Sequence, residues 1–129
     1  MSASIDLDTL TDFFDRYGAA LTAADVPAIA ACYALPGLVV ADSYSFSFTS
    51  PAAVALSFVG AAPDYRERQL VAAHAQIRDV RRLSDALTLV AVEWEYLDSA
   101  GRAVPGESYQ YLLRTTPTGP VICTVIRAG

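Results

Sequence analysis

The side chains in this sequence that could do chemistry are phenols set among apolar residues, together with one imidazole and a few carboxylates. Tyr17 lies on the apolar stripe of a helical pattern in the segment FFDRYGAALTAADVPAIAACY. Tyr109 and Tyr111 are two residues apart in SYQYLL and therefore share one face of a strand. A phenol in apolar surroundings can donate a hydrogen bond that polarises a ligand carbonyl. For each tyrosine the alternative is core packing, with its hydroxyl bonded to a backbone carbonyl.

Two residues are candidates for moving a proton, His74 in AAHAQIR and Asp42 in VVADSY. Imidazole titrates near neutral pH in water, and a carboxylate is a general base at the same pH. If both side chains point into one cavity, they form a histidine–carboxylate pair. The alternative for His74 is a structural or solvent-facing position on its strand.

The composition predicts one domain, residues 1–129, with more apolar residues than an average soluble domain has. The chain has 129 residues, of which 53% are hydrophobic and 18% are charged, and this length suits a single domain. No apolar run approaches the ~20 residues of a membrane-spanning helix. We therefore expect no membrane partner, and we expect a subunit interface or a lined cavity to bury the apolar surplus.

The charge and the cysteine content argue against several classes of function. The net charge is −5 and all nine basic residues are arginines, which disfavours nucleic acid as a partner. Cys32 and Cys123 lie in apolar settings and are expected to be buried free thiols. With one histidine and no clustered ligands, no metal site or other cofactor is predicted. The first eight residues have no signal-peptide pattern, so a cytoplasmic location is expected.

Three helices are predicted in the first half of the chain. Apolar residues recur at helical spacing from Leu10 to Leu21, after an acidic start near residues 6–8. Asp25 and the proline two residues later predict a second helix over about residues 26–33, which Pro36-Gly37 should end. Ser50 and the proline after it predict a third helix, which reaches about residue 60 or continues irregularly through YRERQ.

The second half of the chain is dominated by strand patterns. Residues 37–48 already alternate at period two and predict one or two strands. Four longer strands are predicted over residues 70–83, 86–98, 105–115 and 120–128, joined by three turns in an antiparallel meander. Helices followed by such a meander predict an α+β domain in which the helices pack on one face of the sheet.

The N-terminal half carries a moderately specific motif, contained in RYGAALTAADVPAIAACYALPGLVVAD. Its parts are an aromatic residue in the first helix, then A-L-x-A-x-D, an I-x-A-x-Y helix and a V-V-x-D strand. The segment resembles the nuclear transport factor 2-like superfamily, which includes ketosteroid isomerases, polyketide cyclases, scytalone dehydratases and many uncharacterised bacterial proteins. The resemblance implies a cystatin-like α+β roll: a cone-shaped, curved antiparallel sheet wrapped around an N-terminal helix, with two further helices and a deep, mostly apolar pocket.

Strand parity supports such a cone independently of the resemblance. In ALTLVAVEWEYLD, one face carries large apolar and aromatic side chains and the other carries two glutamates. The face expected to be concave consists of Val90, Val92, Trp94 and Tyr96. The opposite face should meet water or a second subunit, so a homodimer formed through the outer face of the sheet is expected.

The ketosteroid isomerase pattern implies roles for particular residues. It places Tyr17 where that family has a donor to the developing enolate oxygen, and Tyr111 where it has a second donor. Trp94 matches an aromatic wall position. The family's general base is a carboxylate at the end of the first strand. Here the matching position is Ala41, and the nearest carboxylate, Asp42, is one residue out of phase, which turns a strand side chain to the other face.

These observations predict a protein that binds a small apolar or aromatic, oxygen-bearing ligand within the cone. One alternative is an isomerase, dehydratase or cyclase that acts by acid–base chemistry on a ketone or polyketide-like substrate, without a cofactor. Another is a protein-interaction or structural dimeric module. The predicted catalytic residues are Tyr17, Asp42 and His74. The predicted ligand-binding residues are Tyr17, Phe58, Trp94, Tyr109, Tyr111 and Ile126.

Overall fold

The computed structural model describes residues 6–58 and 70–127, with side chains described for 6–54 and 70–127. These residues form three helices and six strands. In chain order the elements are α1 Leu7–Ala23, α2 Val26–Ala31, β1 Tyr33–Ala41, β2 Ser45–Phe48, α3 Pro51–Phe58, β3 Leu70–Arg82, β4 Leu87–Asp98, β5 Ala103–Thr116 and β6 Gly119–Arg127.

The helix starts follow from capping side chains, and those of α2 and α3 were predicted. The Asp6 carboxylate accepts a hydrogen bond from the backbone N–H of Thr9 at 2.7 Å, and the Asp25 carboxylate accepts one from the N–H of Ala28 at 3.3 Å. The Ser50 hydroxyl accepts one from the backbone three residues later at 3.2 Å. Each cap satisfies a backbone donor that the first helical turn leaves without a partner.

The region after α2 differs from the prediction. The second helix ends at Ala31 and does not reach Tyr33, and Pro36-Gly37 does not terminate it but lies inside β1. The physical reason is a long-range pairing, because Tyr33 lies opposite Ile122 of β6 and the Ile122 N–H donates to the carbonyl of the residue before Tyr33 at 2.8 Å. A local helix signal cannot reveal a strand partner that comes at the end of the chain.

The six strands form one sheet in the order β2-β1-β6-β5-β4-β3. The predicted antiparallel meander from β3 to β6 is confirmed. Residues 37–48 form parts of two strands, as predicted, and these strands pair antiparallel with each other. The parallel pairing of β1 with β6 was not predicted. The α+β class is confirmed.

The helix α1 packs against one face of this sheet, which we call the inner face. Its glycine, Gly18, allows the close approach, because a Cβ atom there would lie 2.9 Å from the Ala73 carbonyl oxygen and 3.1 Å from the Trp94 ring. The predicted concave face of β4 is confirmed, since each of its four residues is at most 3% exposed. Those residues are Val90, Val92, Trp94 and Tyr96.

A bulge in β5 adjusts which side chains reach the inner face. Three residue steps of β5, from Ser108 to Pro105, lie opposite two steps of β4. Within the bulge, a Cβ atom on Gly106 would lie 2.7 Å from the Trp94 carbonyl oxygen and 2.8 Å from the Tyr96 ring. The absent side chain therefore lets β5 lie close to β4 at this point.

No helix within the described residues is long and apolar enough to cross a membrane.

Candidate functional site

A cluster of four aromatic side chains fills one part of the inner face. We call Tyr17, Tyr33, Trp94 and Tyr111 the aromatic cluster; each is at most 6% exposed. The hydroxyl oxygens of Tyr17 and Tyr33 are 2.6 Å apart, and either can be the donor. The Trp94 Nε1–H donates to the Tyr111 hydroxyl at 2.8 Å. Helix α1 and strands β1, β4 and β5 thus bring together polar groups from distant parts of the sequence.

The position of Tyr17 makes it a protonated hydroxyl throughout the neutral range. Burial raises its pKa well above the ordinary value, and unfavourable interaction with the charges that Tyr33 and Tyr111 would carry raises it further. The two hydroxyls of the Tyr17–Tyr33 pair have two protons, and only one of them can lie between the oxygens. The other proton can be donated to a third oxygen. When that oxygen belongs to a ligand carbonyl, such a hydrogen bond polarises the carbonyl.

The register of the sheet places a second group of side chains on the inner face, in rows that run across β5, β6, β1 and β2. Tyr111 and Val39 both lie opposite Val125, and Phe46 lies opposite Val39. Residues directly opposite each other in a sheet share a face, so these four residues form one row on the inner face.

The next row lies farther from the buried core. Arg127 lies opposite Ala41, and its guanidinium carbon is 6.0 Å from the centroid of the Tyr109 ring. On the opposite side of Ala41 from Arg127, the Ala41 N–H donates to the carbonyl of Tyr44 at 2.8 Å. The Tyr44 and Phe46 rings stack at 6.1 Å with an interplanar angle of 10°.

These rows place aromatic side chains on either side of the smaller side chains of β1, and we call this region of the inner face the inner trough. The exposure of its aromatic side chains increases away from the buried end of β2. Phe48, at that end, is 1% exposed, Phe46 is 40% exposed, and Tyr44, directly before the strand, is 53% exposed. The trough is therefore closed by the core at one end and accessible at the other. Its residues are Val39, Ala41, Tyr44, Phe46, Tyr109 and Arg127.

One carboxylate faces the interior beside this trough. Glu107 is half-buried and accepts a hydrogen bond from the Tyr96 hydroxyl at 2.7 Å. It lies two residues before Tyr109 on the same strand, within the bulge. The inner face therefore contains an acidic group in addition to its phenols.

The proton-transfer candidates His74 and Asp42 lie away from the aromatic cluster. Asp42 is exposed in the turn after β1, and Ala41 rather than Asp42 occupies the inner row. His74 is exposed on the outer face of β3, opposite Glu95. Strands β1 and β3 are separated by three others, or ~19 Å along the sheet at the usual strand spacing. The structure does not bring Asp42 and His74 together, and neither joins the buried hydroxyl of Tyr17.

The predicted ligand-binding residues are also distributed unevenly. Tyr17, Trp94 and Tyr111 belong to the aromatic cluster, and Tyr109 belongs to the inner trough. Ile126 lies opposite Gln110 and Val40 on the outer face, so the inner position in β6 is held by the next residue. Phe58 is the last residue of α3, and its side chain lies outside the described residues.

Three residues of the inner face were not predicted as site residues: Tyr33, Glu107 and Arg127. Tyr33 was assigned to a helix end, so its pairing with Tyr17 could not be inferred. Glu107 shares the parity of Tyr109 and Tyr111, and that parity was the available signal. Arg127 is one residue from Ile126, and only the register with β1 decides which of the two faces inward.

A separate groove of about 550 Å³ lies between α1, α2 and the turn from β5 to β6. Five of its thirteen lining residues are alanines, and Arg16 and Cys32 are among the others. Burial raises the pKa of the Cys32 thiol, and the Arg16 charge offsets part of this effect. The thiol is thus protonated and donates to the Ala28 carbonyl at 3.4 Å. As predicted, Cys32 and Cys123 are both buried and free.

Within residues 6–58 and 70–127, no group of three or more histidine, cysteine or acidic side chains is arranged to hold a metal ion. Near the inner trough, the described residues supply phenols, the Glu107 carboxylate and the Arg127 guanidinium.

The sequence matches the profile of a family described as NTF2-like protein (DUF6841) over residues 8–128. The chain belongs to this NTF2-like family. The fold inferred from the N-terminal motif is thereby confirmed at the level of the superfamily. A search of curated proteins gave no match.

Solved structures with the same fold share little sequence with this NTF2-like protein. An NTF2-like protein of unknown function from Shewanella oneidensis is 12% identical, with a TM-score of 0.68 over 95% of this chain and 98% of its own. A domain of unknown function with a cystatin-like fold from Nostoc punctiforme is 12% identical, with a TM-score of 0.71 over 98% and 78%. A ketosteroid isomerase-like protein from Erwinia carotovora is 20% identical, with a TM-score of 0.61 over 96% and 97%. These likenesses establish the fold alone.

Proposed function

We propose that this NTF2-like protein binds a small apolar or aromatic, oxygen-bearing molecule in the inner trough, against the aromatic cluster. The observation that carries the proposal is the exposure of large aromatic side chains on the inner face. Phe46 lies on the same face of β2 as the buried Phe48, yet it is 40% exposed, and Tyr44 directly before the strand is 53% exposed. Ligand sites are typically concave and apolar, with few polar groups.

The neighbouring polar groups suit a ligand with an oxygen atom. Tyr17 and Tyr33 form a buried hydrogen-bonded pair on the same face as the trough. Tyr111 connects this pair to Trp94, because its ring packs against Tyr17 and its hydroxyl accepts a hydrogen bond from Trp94. In this proposal Tyr109 and Phe46 contact the ligand rings, while the phenols of the aromatic cluster donate to its oxygen. Apolar area removed from water stabilises such a complex by roughly 25 cal/mol per Å² before the costs of association.

Binding can be measured by ligand-observed NMR and calorimetry with a panel of hydroxylated aromatics, cyclic ketones and steroids. We expect Phe46→Ala to weaken binding of the panel members at least several-fold. Leu83→Ala is a matched control, because Leu83 is 52% exposed but lies in the turn between β3 and β4. Equal affinities for wild type and Phe46→Ala across all binders would refute the trough as the site.

The role of Tyr17 is tested separately with Tyr17→Phe. If Tyr17 anchors the ligand oxygen, the variant binds oxygen-bearing members of the panel more weakly and their deoxygenated analogues unchanged. Unchanged affinity for every binder would remove Tyr17 from the proposed site while leaving the trough in place.

A second candidate function is acid–base catalysis, and the inner carboxylate Glu107 favours it. In this version the Tyr17–Tyr33 pair donates to a ketone oxygen while Glu107 takes a proton from the adjacent carbon and returns it to the substrate, so no atom is lost. The proton-transfer part of such catalysis contributes about 10²–10⁴-fold. Deuterium exchange into 2-tetralone followed by NMR tests it: wild type should accelerate exchange and Glu107→Gln should not. Equal exchange rates with both proteins would exclude this role.

We also propose that the protein forms a homodimer through the outer face of the sheet. Leu89 and Leu112 lie opposite each other there, in a row that continues to Leu38 of β1. The neighbouring row contains Ile126 and Val40. Light scattering should give twice the monomer mass for wild type and the monomer mass for Leu112→Glu. A monomeric wild type would refute the proposal.

A further inference from the structure

Arg127 occupies an unusual place for a charged residue. It is the last residue of β6, and the register with Ala41 turns it towards the inner face. Its side chain is exposed there, in the same row as the aromatic rings of Tyr109 and Tyr44. The other positive charges on neighbouring parts of the sheet, such as Arg114, alternate to the outer face.

The guanidinium of Arg127 is held by an aromatic ring and not by an acid. Its central carbon lies 6.0 Å from the Tyr109 ring centroid, a distance at which a cation is attracted to the ring face. Within residues 6–58 and 70–127, the ion pairs involve three other arginines, and Arg127 takes part in none. Stacking on a ring leaves the edge of the guanidinium, with its N–H donors, available to an acceptor.

The distance between the sides of the trough limits the size of a molecule that could use these donors. Tyr109 lies on β5 and Tyr44 directly before β2, and these two strands are three spacings apart, or about 14 Å between backbones along the sheet. Between them lie Arg127 on β6 and the smaller side chains of Ala41 and Val39 on β1. One or two fused rings fit between the two aromatic sides, with a substituent reaching Arg127.

We propose that Arg127 binds the carboxylate of a small aromatic or cyclic acid in the inner trough, an inference that rests on the proposed function and names its ligand class. A planar guanidinium matches a carboxylate with two parallel hydrogen bonds. Two acidic residues lie near this row, Asp42 next to Ala41 and Glu107 two positions before Tyr109. They oppose a doubly charged anion more strongly than a singly charged one, so a carboxylate fits better than a phosphate.

The inference is tested with two probes that share their rings and differ in charge, 2-naphthoate and 2-naphthamide. We expect wild type to bind 2-naphthoate on the order of tenfold more tightly, the scale of one charge-assisted hydrogen-bonded contact. Arg127→Gln should remove this preference, so that the variant binds 2-naphthoate no more tightly than 2-naphthamide. Arg127→Lys keeps the charge without the planar fork and should recover only part of the preference. Arg114→Gln is the matched control and should behave as wild type.

The outcomes separate this inference from the proposed function. If both probes bind wild type equally, or if Arg127→Gln keeps the preference for 2-naphthoate, the assignment of an acid is wrong and the trough stands. If neither probe binds, or if Phe46→Ala leaves the binding of both unchanged, the trough itself is wrong and the inference fails with it. Phenyl phosphate binding more tightly than benzoate would replace the carboxylate with a phosphate. Far-ultraviolet circular dichroism verifies that every variant is folded.

Discussion

The aromatic cluster and the inner trough lie on the same face of one sheet, yet they differ in how their side chains are satisfied. In the cluster, Tyr17 and Tyr33 bond each other and Trp94 bonds Tyr111, all away from water. In the trough, the rings are partly exposed and the Arg127 guanidinium lies over the Tyr109 ring.

This difference separates side chains that stabilise the fold from side chains that can bind a ligand. Polar groups that are buried and hydrogen-bonded to one another stabilise one arrangement of the core, and removing one of them leaves its partner unsatisfied. Apolar rings that remain in contact with water contribute little to folding and can contribute to binding. We therefore expect substitutions in the cluster to change the free energy of unfolding, and substitutions in the trough to change affinity.

The largest effect is expected for Trp94→Ala. The change removes a ring that is 2% exposed and that packs against Phe14, Tyr17 and Gly18. We expect the free energy of unfolding to fall by about 3–5 kcal/mol, the usual cost of emptying an aromatic core site. Urea unfolding followed by circular dichroism measures this change. A loss below ~1 kcal/mol would mean that the cluster is not the stabilising core.

The next effect is expected for Tyr17→Phe, which keeps the ring and removes the hydroxyl. The buried Tyr33 hydroxyl then loses its hydrogen bond to Tyr17, at a cost of about 1–3 kcal/mol. Tyr44→Phe is the matched control in the trough, since Tyr44 is 53% exposed, and it should be neutral. Urea unfolding at pH 7 compares the two, and equal losses would contradict the contrast between the regions.

Alkaline pH should weaken the cluster through the same hydroxyl. The pKa of Tyr17 is raised in the folded protein, so its contribution to stability is fully present below the ordinary tyrosine pKa of about 10. Above that value the contribution decreases, and it is lost as the pH rises through the folded pKa. The free energy of unfolding should therefore fall between pH 9 and pH 11. The fall should be smaller in Tyr17→Phe, and an identical fall in both proteins would contradict the prediction.

The smallest change in stability is expected for Phe46→Ala. Its neighbour on the same face of β2 is the natural comparison, because Phe48 is 1% exposed whereas Phe46 is 40% exposed. Phe48→Ala should cost about 3–5 kcal/mol and Phe46→Ala less than ~1 kcal/mol. Thermal and urea unfolding of the two variants provide the measurement. If Phe46→Ala destabilises as strongly as Phe48→Ala, the rings of the trough belong to the core.

Much of the fold could be predicted from local signals. Asp25 and Ser50 were recognised as caps because capping depends on residues three positions apart, and the start of α1 was placed by its acidic residues. The inner face of β4 was assigned correctly because strand side chains alternate with a period of two. The start of β1 was missed because its partner, Ile122, lies in the last strand.

The site was less predictable than the fold, because it depends on register. The sequence identified Tyr17, Trp94, Tyr109 and Tyr111 as interior candidates, and the structure places all four on the inner side. The sequence could not show that Ala41 and Arg127 share a row, since that follows from a parallel pairing between strands far apart in sequence.

By itself, the sequence determined the helices, the meander and the aromatic inner face, since these follow from capping, periodicity and parity within short segments. The tertiary structure decided which side chains meet. It joined the Tyr17 and Tyr33 hydroxyls, kept His74 and Asp42 apart, and turned Arg127 inward. The physical reason is that a one-residue change of register moves a strand side chain from one face to the other, and register is set by partners that local patterns do not identify.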